Sequence, residues 1–149
     1  MPSKRGLIAT TLTLGLAVLA SCGGSTHSTS SSAPLATSAA SKHELLAPAA
    51  AEALLQDPPS GLVVLDVRTP AEFAAGHISG AIDLDLSGAT FQADVSKLDP
   101  GTPYFVYCHS GNRSAQAVAF MQQHGFRSIY ELQGGITAWQ SAGMTVVTS

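Results

Sequence analysis

The sequence predicts a single α/β domain built as a sandwich around a mainly parallel sheet. Short apolar, β-branched runs bounded by turn residues, such as 62–65 and 104–107, are typical of strands covered on both faces. Helix-forming segments alternate with these runs along the chain. With 149 residues, 45% of them hydrophobic, the chain is long enough for one domain of ordinary size and not comfortably for two.

The first predicted helix begins near residue 48. Pro48 suits a first helical turn, residues 49–56 are rich in helix formers, and the Asp-Pro-Pro sequence at 57–59 ends the helix. The run Leu-Val-Val-Leu at 62–65 lies between a glycine and an aspartate, which predicts a buried strand.

A second helix is predicted from its capping residues. Thr69 and Glu72 have capping-box spacing, Pro70 occupies the first helical position, and Gly76 ends the helix. The remaining predicted elements continue the alternation: a strand at 81–84, a helix at 90–98, a strand at 104–107, a helix at 114–124, a strand at 129–132 and a last helix between 134 and 143.

The first 21 residues have the layout of a signal peptide. Lys4 and Arg5 precede an apolar run at 7–20, and this run is shorter than the roughly 20 residues that a membrane-spanning helix needs. A permanent transmembrane anchor is therefore the weaker alternative. The sequence Leu-Ala-Ser-Cys ending at Cys22 resembles the lipobox of bacterial lipoproteins, which implies that Cys22 is lipidated and becomes the new N-terminus.

The segment at 22–41 is mostly Gly, Ser, Thr and Ala, which predicts a flexible tether between the lipid and the folded domain. His27 and His43, in and beside this tether, are interpreted as solvated side chains without partners. We expect the protein to be extracytoplasmic and lipid-anchored to the bacterial cell membrane. The chain from Cys22 onward has five basic and ten acidic residues, so lipid rather than charge would hold it there.

The charge and cysteine counts exclude several classes of protein. A net charge of −3 leaves no basic surface for phosphates, so nucleic acid is not an expected partner. Two cysteines are too few for a disulfide framework or a cysteine-rich zinc site, and we expect neither a metal nor another cofactor. Once Cys22 carries lipid, Cys108 is an unpaired thiol in an exported protein, which suggests that this thiol is reactive.

The loop that contains Cys108 follows a predicted strand and leads into a predicted helix. Ligands of parallel sheets bind beyond the carboxyl ends of strands, where this loop emerges. We predict a lowered pKa for Cys108, because its surroundings favour a thiolate. These surroundings are the backbone N–H groups at the helix start, a loop that can curl because of the backbone freedom of Gly111, and the cation of Arg113 at the far rim. The alternative is a cysteine that is buried for structural reasons alone.

Three motifs resemble the rhodanese family of sulfurtransferases, from about Leu45 to Val146. They are LDVRTPAEFAAGHISGAIDL at 65–84, CHSGNRS at 108–114 and LQGGITAWQSAG at 132–143, in that order. The resemblance implies a rhodanese-like domain at 42–149, a three-layer sandwich with about five strands and helices on both faces. It also implies that Cys108 carries sulfur as a persulfide.

The resemblance further suggests roles for individual residues. The loop residues are expected to bind the substrate and the persulfide: His109, Ser110, Gly111, Asn112 and Arg113. Asp66 and Arg68 are expected to support the loop rather than to react. Glu72 and His77 are assigned to capping and packing, the glycines at 134–135 to a tight turn near the loop, and Trp139 to the core.

The expected reaction is the transfer of a sulfane sulfur from a small donor such as thiosulfate to cyanide or a thiol. A phosphatase or arsenate reductase of the same fold is an alternative, but related phosphatases have one residue more between the cysteine and the arginine than the four found between Cys108 and Arg113. A non-catalytic binding module is a further alternative, as is thiol redox chemistry with an external thiol. The sequence leaves the oligomeric state open.

Overall fold

The computed structural model describes residues 41–148, which form five strands and five helices. The strands are β1 (Lys42–Leu46), β2 (Val63–Asp66), β3 (Ala81–Asp83), β4 (Pro103–Tyr107) and β5 (Ser128–Leu132). The helices are α1 (Pro48–Gln56), α2 (Pro70–Ala75), α3 (Phe91–Val95), α4 (Asn112–Gln123) and α5 (Gly135–Ser141). The predicted signal peptide, Cys22 and the tether up to residue 40 lie outside the described residues. Among residues 41–148, no helix has the length and apolar character that a membrane crossing requires.

All five strands are parallel, and their order in the sheet is β1-β5-β4-β2-β3. This confirms the predicted parallel sheet of about five strands. β4 lies in the middle, between β5 and β2, so the residue that follows Tyr107 emerges at the centre of the carboxyl edge of the sheet. The sheet topology therefore places Cys108 where parallel sheets bind their ligands.

Helices cover the two faces of the sheet and enclose two separate cores, which confirms the three-layer sandwich. On one face, residues of β2, β4 and β5 pack with Phe91 of α3 and Met121 of α4. On the other face, Phe105 and its neighbours pack with Ala51 of α1 and Trp139 of α5. The alternation of side chains along β4 explains why its sequence is apolar at every position.

The edge strand β1 was not predicted. Its sequence, KHELL, is charged and its side chains are mostly exposed, so neither periodicity nor composition marks it as a strand. It forms because the backbone of 42–46 pairs in parallel with 128–132 of β5. A strand that depends on long-range pairing in this way leaves little trace in its own sequence.

Two predicted helix boundaries are also wrong. The helix predicted at 90–98 is confined to Phe91–Val95. Helix α4 begins at Asn112 rather than at Ser114, because Gly111 adopts a φ of +103° and turns the chain into the helix directly. Asn112 and Arg113 are therefore in the first turn of α4 and not in the loop.

Candidate active site

Cys108 begins the short loop that joins β4 to α4. The left-handed conformation of Gly111 turns this loop back on itself, and the N–H of Gly111 donates a hydrogen bond to Sγ of Cys108 at 3.1 Å. Ser114, in the first turn of α4, places its Oγ 3.6 Å from the same sulfur. The sulfur therefore lies between an N–H donor of the loop and a hydroxyl of the first turn of α4.

The pKa of Cys108 lies below the ordinary value of a thiol, in the direction that the sequence predicts. Burial of the sulfur raises the pKa. Hydrogen bonds that the thiolate accepts from the Ser114 hydroxyl and from the backbone N–H groups of Ser114, Ser110 and Gly111 lower it by more. The loop thus favours a thiolate, the form in which cysteine is a nucleophile.

Cys108 is nevertheless buried, with 1% of its surface exposed. A shallow depression of about 190 Å³ lies beside the loop, and its lining includes Arg68, Glu72, Gly76 and His109. The cysteine thus combines the burial of a structural residue with the hydrogen bonding of a reactive one.

The sequence predicts that Arg113 places a cation at the far rim of the loop. In the structure this cation is paired with a carboxylate. The guanidinium of Arg113 donates two hydrogen bonds to the carboxylate of Glu72 in α2, at 2.8 and 2.7 Å. These bonds, more than any other contact, lower the pKa of Glu72 to about 2. Glu72 also closes the predicted capping box with Thr69, so one carboxylate caps the start of α2 and ties this helix to α4. The pairing with Arg113 was not predicted, because Glu72 was assigned to capping and packing alone.

His109 lies at the rim of the loop. Its side chain is 62% exposed, and its Nδ1 is 3.9 Å from Oε1 of Glu72. Its backbone carbonyl accepts a hydrogen bond of 2.8 Å from the hydroxyl of Thr137 in α5. These contacts fix the backbone of His109 and leave its ring facing the solvent.

Helix α5 packs its first turn directly on the loop. The N–H of Ile136 donates to the carbonyl of Cys108 at 2.8 Å, and the N–H of Thr137 donates to the carbonyl of His109 at 3.1 Å. A Cβ atom on Gly135 would lie 2.5 Å from the carbonyl oxygen of Cys108, and φ of Gly135 is +61°. The glycine pair at 134–135 thus makes a tight turn near the loop, as expected, and the absence of a side chain at 135 allows the contact.

Asp66 and Arg68 form a buried ion pair at the carboxyl end of β2. The distance from Arg68 Nη2 to Asp66 Oδ2 is 2.6 Å, and the same nitrogen donates to the carbonyl of Gly76 at 2.7 Å. The pair therefore connects the end of β2 to the end of α2, next to the active loop. This position suits the supporting role expected from the sequence.

A second hydrogen-bonded group beside Cys108 was missed. The hydroxyl of Ser114 donates to Oε1 of Glu131 in β5 at 2.8 Å, and Oε2 of Glu131 lies 3.0 Å from Nε2 of His43 in β1. His43, interpreted as a solvated residue without partners, is thus a partner of a buried carboxylate. Glu131 is 4% exposed. A glutamate inside the apolar strand at 128–132 is the signal that the sequence offered, because a buried charge needs partners.

Within residues 41–148, no group of three or more His, Cys, Asp or Glu side chains is arranged to hold a metal ion. The chemistry available at this site is that of one polarised thiol, the hydrogen-bond donors around it and the carboxylate of Glu131.

Comparisons with known proteins match residues 47–142 to the family model of the rhodanese-like domain. The thiosulfate sulfurtransferase GlpE of Pseudomonas fluorescens (strain Pf0-1) is 38% identical over 101 residues, which cover 68% of this chain and 88% of the relative. GlpE of Pseudomonas entomophila (strain L48) is 42% identical over 82 residues, covering 54% of this chain and 72% of the relative. The crystal structure of a rhodanese-related protein from Thermoplasma volcanium aligns with a TM-score of 0.62 at 32% identity and covers 71% of this chain and 99% of that one.

Proposed function

Because the chain belongs to the rhodanese-like family and is a sulfurtransferase of the rhodanese type, we propose that it transfers sulfur through a persulfide on Cys108. The donor is a small molecule with a sulfane sulfur, such as thiosulfate, and the acceptor is a nucleophile, either cyanide or a thiol. The observation that carries the proposal is the set of hydrogen-bond donors around one sulfur, with a thiol pKa that lies below its ordinary value.

In the first half of the reaction the thiolate of Cys108 attacks the outer sulfur of thiosulfate. A sulfur–sulfur bond forms to Cys108, the bond between the two sulfurs of thiosulfate breaks, and sulfite leaves with the electron pair. In the second half the acceptor attacks the outer sulfur of the persulfide, and Cys108 leaves as a thiolate. The cysteine ends each cycle in the state in which it began.

The surroundings of Cys108 suit the negative charge that this cycle requires. The N–H of Gly111 and the start of α4 favour an anion at the sulfur, as an oxyanion hole favours a charged oxygen. Because Cys108 is 1% exposed, we infer that the loop at 108–111 opens to admit the donor. Hydrogen bonds from α5 to the carbonyls of Cys108 and His109 fix the base of the loop.

The main alternative is phosphate or arsenate chemistry at the same cysteine. A phosphatase needs its arginine to bind the phosphate, whereas Arg113 is held in two hydrogen bonds by Glu72. The four residues between Cys108 and Arg113 also make a smaller cradle than related phosphatases have. A non-catalytic binding module does not need a thiol with a lowered pKa, so the site favours turnover over binding alone.

The test of the proposed function is a comparison of substrates with the purified full-length protein. We expect thiocyanate to form from thiosulfate and cyanide, at a rate proportional to the protein concentration. We expect no release of phosphate from an aryl phosphate and no reduction of arsenate by added thiol. Phosphate release without thiocyanate formation would contradict the proposal and support the phosphatase alternative.

We propose, from the sequence alone, that the chain is exported and anchored to the bacterial cell membrane by lipid on Cys22. The residues that support this proposal lie outside the described part of the chain. Cell fractionation tests it: the native protein is expected in the membrane fraction, and the Cys22→Ser variant is expected to lose its lipid. A native chain that stays unlipidated in the soluble fraction would contradict it.

A further inference from the structure

A continuous path of hydrogen bonds leads from Cys108 to the edge of the sheet. Its distances are 3.6 Å from the sulfur to the Ser114 hydroxyl, 2.8 Å from that hydroxyl to Glu131, and 3.0 Å from Glu131 to His43. Cys108, Ser114 and Glu131 are 1%, 0% and 4% exposed, respectively, whereas the side chain of His43 is 32% exposed. The path therefore connects a buried thiol to a histidine that touches solvent.

The hydroxyl of Ser114 has two acceptors within reach, Oε1 of Glu131 at 2.8 Å and the carbonyl oxygen of Gly111 at 2.9 Å. When it donates to Glu131, the hydrogen bonds from the thiol to the carboxylate run in one direction. The thiol of Cys108 donates to Oγ of Ser114, and the hydroxyl of Ser114 in turn donates to Oε1 of Glu131. The other carboxylate oxygen lies against His43, which orients Oε1 toward the serine. A chain of hydrogen bonds in this orientation provides a route for a proton from the thiol to the carboxylate.

We propose that Glu131 is a positioning residue of the reaction, which accepts the proton of Cys108 through the hydroxyl of Ser114. The inference rests on the proposed role of Cys108 as the nucleophile. It goes beyond that role because the thiolate then forms inside the protein without the loss of a proton to solvent.

The transfer balances without any further reactant. The S–H bond of Cys108 breaks as a new O–H bond forms on Ser114, while the original O–H bond of Ser114 breaks as one forms on Glu131. The negative charge moves from Glu131 to the sulfur, and the number of bound protons stays the same. In the product state the hydroxyl of Ser114 donates to the sulfur and stabilises the thiolate that it helped to form.

The other charged groups around the two ends of the path are engaged elsewhere. They form three ion pairs: Arg113 with Glu72, Arg68 with Asp66, and Lys42 with Glu44. The exposed ring of His109 lies nearest to Glu72. Among the described residues, Glu131 is thus the carboxylate that accepts a hydrogen bond from Ser114, whose hydroxyl contacts the sulfur of Cys108.

The test measures the alkylation rate of Cys108 by iodoacetamide between about pH 6 and pH 10. The full-length protein is used with Cys22→Ser in every sample, so that Cys108 is the single thiol. Glu131→Gln keeps the size and hydrogen-bonding capacity of the side chain but removes the proton acceptor. Glu44→Gln, which removes an exposed charge from the neighbouring strand, is the matched control.

With Glu131 present, the rate is expected to level off below the pKa of the thiol, because the internal transfer does not depend on pH. In Glu131→Gln the alkylation rate is expected to fall about tenfold for each unit by which the pH is lowered. At high pH, where hydroxide removes the proton, the rates of this variant and of the protein with Glu131 are expected to be equal. Glu44→Gln should retain the plateau. Ser114→Ala should lose it, and this variant tests the same path if Glu131→Gln does not fold.

The inference would be overturned if the alkylation rates of Glu131→Gln and of the protein with Glu131 depended on pH in the same way. It would also be overturned if the variant were alkylated faster at low pH. Faster alkylation would mean that the carboxylate only opposes the thiolate. Alkylation requires no sulfur donor, so these outcomes are separate from the proposed function. A protein that shows the plateau but forms no thiocyanate would retain the proton path and lose the sulfur transfer.

Discussion

Replacing Cys108 by serine is expected to reduce thiocyanate formation from thiosulfate and cyanide to the uncatalysed background. The hydroxyl of serine has the same position but a far higher pKa than a thiol, and it does not form a persulfide. Because serine is nearly isosteric with cysteine, we expect the fold to remain intact, with a thermal unfolding midpoint close to that of the native protein.

Cys22 provides the matched control for this substitution, because the chain has two cysteines and each variant retains one of them. Cys22→Ser in the purified full-length protein should form thiocyanate at the native rate. The account would be contradicted if Cys108→Ser retained turnover, or if Cys22→Ser abolished it.

Replacing Gly135 by alanine is expected to lower turnover about 100-fold, which is the size of effect that a displacement of about 1 Å in a reacting group produces. The added Cβ would lie 2.5 Å from the carbonyl oxygen of Cys108 and 2.6 Å from that of His109, both of them backbone atoms. The loop must shift to relieve these contacts, and the sulfur then moves relative to its hydrogen-bond donors. The measurement is thiocyanate formation at saturating thiosulfate.

Gly61→Ala separates this displacement from simple backbone strain. Gly61 has a φ of +77°, close to the +61° of Gly135, but a Cβ there meets nothing within 4 Å. We expect both variants to lose about 1 kcal/mol of stability from the left-handed backbone. Only Gly135→Ala should lose activity, and equal activity in the two variants would show that the contact of α5 with the loop is unimportant.

Most of the fold could be predicted because its central elements carry strong local signals. The strands at 63–66 and 103–107 are buried on both faces, and so their apolar runs are continuous. The capping box at Thr69 correctly predicted the first residue of α2. β1 was missed because its charged, exposed residues are held by pairing with β5, an interaction between segments more than 80 residues apart.

The candidate site was predicted only where its parts are adjacent in the chain. The position of Cys108, the turn at Gly111 and the direction of the thiol's pKa follow from the order strand, loop and helix. The pair of Arg113 with Glu72 joins residues that are 41 positions apart. Glu131 and His43 are 88 positions apart, and no spacing rule connects them.

This difference has a physical cause. Local hydrogen bonds and dipoles depend on neighbouring residues, whereas side chains from separate strands meet only after the sheet fixes its order. Glu131 lies next to Ser114 because β5 lies beside β4 and below the start of α4. The structure therefore brings a carboxylate within two hydrogen bonds of the sulfur of Cys108, although the two residues are far apart in the sequence.

The most direct test of the central claim is the intact mass of the full-length protein after incubation with thiosulfate and removal of the excess. The account predicts a gain of one sulfur atom per chain, absent in Cys108→Ser, present in Cys22→Ser, and reversed when cyanide is added. A native protein whose mass does not change with thiosulfate, or whose added sulfur persists in Cys108→Ser, would contradict it.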